Sequence, residues 1–171
     1  MRIFHNLKNR HILKFYNWYE TRNHLWIIFE YCAGGDLLQL IEQDKKLPET
    51  TIKKFGRDLT QGLYYLHFNG IIYCDLKPSN VLINEYSTLK LCDFGLARKL
   101  ADLTKNGGNR GEEPNQDAEG GPKRKNGTPY YMAPELFNDE GVYSYQSDLW
   151  ALGCVMYEMA TGLPPFKASG L

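Results

Sequence analysis

The chain carries no excess of charge of either sign: 20 lysines and arginines meet 20 aspartates and glutamates over 171 residues. No global field therefore concentrates nucleic acid or an anionic membrane on it, and neither is expected as a partner. Long hydrophobic runs are also missing. The most apolar stretch, residues 149–155, falls well short of the ~20 residues that span a bilayer, and Met1-Arg2 does not open a signal peptide. A soluble, cytoplasmic chain is expected. The four cysteines, Cys32, Cys74, Cys92 and Cys154, stand far apart with no Cys-x-x-Cys pair, which argues against a zinc ribbon and a disulfide framework. His5, His11, His24 and His67 form no metal-ligand spacing and read as structural. Internal repeats and heptad arrays are absent.

What is present is periodic apolar patterning cut by turn signals. Residues 12–18 and 24–30 are rich in aromatic and β-branched side chains and flank Glu20-Thr21-Arg22-Asn23, which predicts an antiparallel hairpin. Gly34-Gly35-Asp36 breaks the pattern ahead of a short helix through Leu37, Leu38 and Leu40, so residues 30–35 read as a hinge. Pro48 and Glu49 suit a first helical turn, and Ile52, Phe55, Leu59, Leu63 and Leu66 recur at helical steps until Asn69-Gly70. Gly56 and Gly62 inside that run cost ~1 kcal/mol each against alanine unless close packing needs them. Residues 81–83 and 89–92 flank Asn84-Glu85-Tyr86-Ser87 as a second short hairpin. Residues 147–161 give an apolar, central helix stopped by Gly162-Leu163-Pro164-Pro165-Phe166. Residues 101–126 are dominated by Gly, Asn, Lys, Glu and Pro and cannot bury enough surface to offset their ordering entropy. A disordered insertion is expected there.

Three motifs stand in a fixed order: Tyr73-Cys74-Asp75-Leu76-Lys77-Pro78-Ser79-Asn80, then Asp93-Phe94-Gly95, then Gly127-Thr128 through Ala133-Pro134-Glu135. Phosphoryl transfer needs an aligned acceptor hydroxyl and cations on the transferring group, and these motifs supply such groups. Asp75 is suited to orient the hydroxyl, Lys77 to meet the γ-phosphate as a compact charge, and Asn80 and Asp93 to offer oxygens to magnesium. Thr128 is suited to brace the substrate-binding end of the loop near Asp75. The order and content of these motifs resemble a eukaryotic protein kinase domain over nearly the whole chain, and within it the RUNKEL-like plant kinases related to the Fused group.

That resemblance implies an α+β, protein-kinase-like fold in partial form. Residues 1–30 would be a remnant of the small lobe, 31–35 the hinge, and 36–171 an incomplete large lobe with the activation-segment insertion at 101–126. It implies ATP and Mg as cofactors and a protein substrate phosphorylated on Ser or Thr, since Lys77-Pro78 follows Asp75-Leu76. Phe29 would stand beside the adenine, Tyr31 and Cys32 would form the hinge contacts, Asp36 would meet the ribose, and Leu82 would pack under the adenine ring. Tyr73 and Phe94 would stack with Phe15 and Phe4, and Asp148 would lie under the catalytic loop. Microtubule-associated partners, and a cytoskeletal association, are implied by the RUNKEL-like branch.

The chain departs from the family pattern in three ways. Tyr73-Cys74 stands where His-Arg is usual, so a phosphate on the activation loop loses its customary grip. No glycine-rich loop, strand lysine or partner glutamate precedes residue 12, and the helices usual after the Pro-Pro-Phe turn are lacking. The chain by itself is therefore expected to bind Mg-ATP weakly and not to turn over, and a pseudokinase-like scaffold stands as the alternative function. The hairpin at 12–30 is expected to expose an edge and an apolar face.

Overall fold

The computed structural model describes residues 7–105, 129–138 and 141–167. Strands β1 (Phe15–Thr21) and β2 (His24–Phe29) pair antiparallel from Thr21 opposite His24 to Phe15 opposite Phe29, across the two-residue turn Arg22-Asn23. Because both strands are aromatic and aliphatic at successive positions, neither face is polar. Tyr16, Trp18, Tyr19, Leu25, Trp26, Ile27 and Ile28 are all 42–58% exposed. Among the described residues no third strand joins this sheet, so the expected exposure of edge and face is present.

The core lies on the other side of the linker, around α2 (Glu49–Phe68). Its helical repeat turns Phe55, Leu59, Leu63 and Leu66 inward, against α4 (Tyr145–Thr161) and the antiparallel pair β4 (Val81–Ile83) and β5 (Leu89–Leu91). Leu66, Val81, Val155 and Met159 are completely buried, each contributing about 1.5–3 kcal/mol of apolar transfer. The two glycines of α2 mark close approaches. A Cβ on Gly56 would stand 2.7 Å from the Met156 sulfur of α4, and one on Gly62 would stand 3.1 Å from Leu91 Cδ1.

Caps fix where the helices begin. Asp36 accepts from the Gln39 amide at 2.9 Å and starts α1 (Leu37–Asp44). Ser144 and Ser147 form a reciprocal capping box, so α4 begins at Tyr145 rather than Ser147. Gly162 ends α4 with φ +83°, and an added Cβ would lie 1.8 Å from the Lys45 carbonyl oxygen. The Leu47 amide donates to the Met159 carbonyl at 2.8 Å, joining the loop after α1 to the end of α4.

One sequence expectation needs correction. Residues 101–105, assigned above to a disordered insertion, belong to α3 (Leu100–Lys105). The reason lies upstream: β6 (Arg98–Lys99) pairs with β3 (Ile71–Ile72), and the Leu100 amide donates to the Gly70 carbonyl at 2.8 Å. A turn that starts from an anchored end avoids much of the nucleation cost of a free helix. Asp102 in its first turn also suits the helix dipole. Two-residue strands leave no periodic signal, so the β3–β6 ladder was invisible in sequence. Residues 106–126 of the expected insertion lie outside the described residues.

Candidate active site

The loop between β3 and β4 carries the first motif, and α4 holds it from below. Asp148, 2% exposed, accepts from the Tyr73 amide (2.8 Å) and His67 Nε2 (2.8 Å) with one oxygen and from the Cys74 amide (2.9 Å) with the other. Those bonds fix Cys74 at φ +70°, a conformation that costs a non-glycine residue about 1–3 kcal/mol and persists only where the surroundings over-determine it. Tyr73 is fully buried, meets Phe94 edge-on at 5.2 Å, and donates its hydroxyl to the Cys92 carbonyl. Burial holds that hydroxyl well above its ordinary range, so Tyr73 serves as a strut.

Beyond Cys74 the chemistry-bearing side chains converge. Lys77 Nζ sits 3.0 Å from Asp75 Oδ2, and Asn80 Nδ2 donates to the same oxygen at 2.8 Å and to the Asp75 carbonyl at 2.9 Å. Asn80 is locked by the 3-10 turn Pro78–Asn80, and its own carbonyl accepts from the Cys92 amide at 3.0 Å. That bond sets the residue before Asp93. Asp93 takes φ +52° and accepts from the Gly95 amide at 3.1 Å, with its side chain exposed. The structure thus brings Asp75, Lys77 and Asn80 into one bonded cluster and carries Asp93 to it through Cys92.

The residues assigned to nucleotide contact fall on the end of β2, on residues 31–36 and on β4. Residues 34 and 35 are laced to β4, with the Gly34 amide donating to Ile83 (2.8 Å) and the Ile83 amide to Gly35 (2.9 Å). Asp36 and Leu82 form an isolated antiparallel bridge. Asp36 already spends one oxygen on its helix cap. Phe29 meets Phe15 edge-on at 5.9 Å, Cys32 is half-buried, and Tyr31 is 85% exposed. Burial, and then the nearby Glu30, push the Cys32 thiol up. Thr128 and Phe4 lie outside the described residues.

Three arrangements were not foreseen. Lys90 in β5, only 7% exposed, pairs with Glu30 at 2.9 Å and donates to the Arg10 carbonyl at 3.0 Å, while Glu30 also accepts from the Lys14 amide. A lysine between Leu89 and Leu91 in an apolar strand was the available signal. Tyr131 donates to Glu158 at 2.6 Å and fastens the segment before Ala133 to α4. The cysteines flanking the cluster are chemically quiet: burial, aided by Asp148 and Asp93 respectively, pushes Cys74 and Cys92 up to about 12.

The donor set suits a hard divalent cation. Both protons of the Asn80 amide group are engaged by Asp75, which leaves its carbonyl oxygen to coordinate, and Asp93 offers an exposed carboxylate. Among the described residues no cluster of three His, Cys, Asp or Glu could hold an ion alone. Such a pair matches magnesium, which keeps several waters and takes its remaining oxygens from substrate phosphates. Among the described residues no helix is long and apolar enough to cross a membrane.

The family profile described as "Protein kinase domain" matches residues 1–170. The chain is 55% identical to the serine/threonine-protein kinase RUNKEL of Arabidopsis thaliana over 168 residues, covering 98% of the chain and 11% of that protein. It is 41% identical to mouse serine/threonine-protein kinase ULK4 over 176 residues, covering 97% and 13%. Mouse serine/threonine-protein kinase PLK2 is 36% identical over 167 residues, covering 96% and 22%. The chain therefore spans between 11% and 22% of the length of these three relatives.

Proposed function

The chain belongs to the protein kinase family, and from that premise we propose that its protein transfers the ATP γ-phosphate to serine or threonine hydroxyls of a protein substrate. The observation that carries this reading is the bonded cluster of Asp75, Lys77 and Asn80, tied through Cys92 to Asp93. In this reading residues 1–30 belong to the small lobe, 31–35 form the hinge, and the remainder is large lobe. Phe29, Tyr31, Cys32, Asp36 and Leu82 are the nucleotide contacts, and Thr128 braces the substrate end of the loop.

Each side chain then has a defined task. Asp75 accepts a hydrogen bond from the acceptor hydroxyl and aligns it, taking its proton as the oxygen is phosphorylated. Lys77, paired with Asp75 in this structure, exchanges that partner for the γ-phosphate and offsets its charge. Asn80 and Asp93 would hold the metal of the bound nucleotide, which would supply positive charge to offset that developing on the transferring group. Tyr73 and Asp148 keep the loop backbone fixed while these exchanges occur. Cys74 and Cys92 stay protonated and take no part.

The departure at Tyr73-Cys74 keeps a second reading open, a scaffold with a kinase fold. On the resemblance to RUNKEL-like kinases alone, we extend the proposal to microtubule-associated partners and a cytoplasmic, cytoskeleton-associated location. Transfer of radiolabelled γ-phosphate to a Ser/Thr peptide set, measured on this chain and on longer forms containing it, separates the two readings. Asp75→Asn should lower transfer by about 10²–10⁴-fold with ATP affinity nearly unchanged. Asp93→Asn should weaken both. No transfer in any form, with partner binding retained, would favour the scaffold.

A further inference from the structure

The segment following Asp93 is tied to the loop of Asp75 at more than one point. Ile72 and Arg98 are paired residues of the β3–β6 ladder, and the Leu100 amide bonds to the Gly70 carbonyl. The Arg98 side chain then continues past the ladder to lie over the ring of Tyr143, with the guanidinium carbon 5.7 Å from the ring centroid. That is inside the ~6 Å range in which a cation is drawn to a ring face. Among the described residues no carboxylate stands within ion-pair distance of Arg98.

Tyr143 connects this contact to the site. It directly precedes the Ser144 cap of α4 and lines a cavity of about 20 Å³ together with Cys74, Asp75, Tyr131 and Asp148. The ring therefore forms part of the wall beside Asp75, and α4 carries the carboxylate beneath the same loop. Burial, and then the nearby Cys74, push the Tyr143 hydroxyl up. The guanidinium thus meets the face of a neutral phenol.

We propose that Arg98 and Tyr143 are positioning residues, whose stack clamps the segment after Asp93 onto the start of α4 and holds the Asp75 loop against Asp148. The clamp needs no anion, because an aromatic ring receives the cation. It orders this side of the site without any charge being added to the intervening chain. The role of the clamp rests on reading Asp75 as the carboxylate that aligns the acceptor, whereas its existence does not, so the test avoids turnover.

Amide hydrogen exchange on the 171-residue chain reads the clamp at residues 73–76 and 96–100. Arg98→Gln and Tyr143→Leu should each speed exchange in both segments by about two- to five-fold, the range of an exposed cation–π contact. Arg98→Lys and Tyr143→Phe, which keep the cation and the ring, should stay near the parent. The double variant Arg98→Gln with Tyr143→Leu should be no faster than the faster single. Should Tyr143→Leu unfold, Arg98→Gln decides alone, since Arg98 is exposed. Unchanged exchange in Arg98→Gln, equal acceleration by Tyr143→Phe and Tyr143→Leu, or additive effects in the double variant would each overturn the proposal.

Discussion

Replacing Asp148 with alanine should cost this fold more than any other single carboxylate loss. Its two oxygens satisfy the Tyr73 and Cys74 amides and His67 Nε2, all within 2.9 Å, at a position 2% exposed. A hydrogen bond to a charged acceptor is worth about 1.5–3 kcal/mol, and a buried donor left unpaired costs a further desolvation penalty. Three such bonds share one carboxylate, so their losses overlap rather than add. The strained backbone at Cys74 also loses its restraint. We expect Asp148→Ala to lose about 3–5 kcal/mol, the range seen when one partner of a buried charged network is removed. That is a large share of the ~5–15 kcal/mol typical of a domain. Asp148→Asn keeps an acceptor oxygen but opposes its amide to a donor, and should fall between parent and alanine. Urea unfolding followed by circular dichroism gives the loss. A change below ~1 kcal/mol, with the Tyr73 and Cys74 amides still protected from exchange, would refute the reasoning.

Two further expectations concern the end of α4. Gly162→Ala should cost at least ~2 kcal/mol, because the left-handed φ of +83° is unfavourable for alanine and the new Cβ meets the Lys45 carbonyl at 1.8 Å; a midpoint equal to the parent in thermal unfolding would contradict this. Burial raises the Glu158 carboxyl above its usual 4.5, opposed by the bond from Tyr131 and by Lys167, with Glu42 adding to the rise. The folded state therefore holds that proton longer than the unfolded one. This contribution to stability is complete below pH 4.5 and is lost as pH rises through the folded value. Glu158→Gln keeps an acceptor for Tyr131 and should remove the decline, gaining on the parent from pH 4.5 upward in unfolding midpoints; parallel pH curves for the two proteins would count against it.

Elements with long periodic patterns were legible in the sequence. The repeat from Ile52 to Leu66 gave α2, and the apolar run through Met159 gave α4, because each buries one helical stripe against the other. Gly56 and Gly62, which weakened the helix on propensity alone, turned out to sit at close approaches that only a pair of packed elements reveals. The β3–β6 ladder was hidden, since two residues per strand carry no alternation and their pairing joins distant positions in the chain, such as Ile72 and Arg98. The same ladder anchors α3 and explains why composition misjudged residues 101–105. At the candidate site, motif order singled out Asp75, Lys77, Asn80 and Asp93 but did not reveal how they are coupled. Nothing local announces that the Tyr73 hydroxyl reaches the Cys92 carbonyl, or that Asn80 joins the Asp75 loop to Asp93. The stack of Arg98 on Tyr143 was equally hidden, because it depends on where β6 and the start of α4 meet in space.

The central claim is that Asn80 and Asp93 hold the metal of a bound nucleotide beside Asp75. Manganese substituted for magnesium, added with ATP to isotopically labelled chain, tests it most directly, because paramagnetic broadening in NMR spectra registers even weak binding and does not depend on turnover. The account predicts that the Asn80 side-chain amide and the Asp93 and Gly95 backbone amides broaden first, only when ATP is present, and that Asp93→Asn diminishes the effect. Resonances at those three residues that stay sharp while others broaden would contradict it.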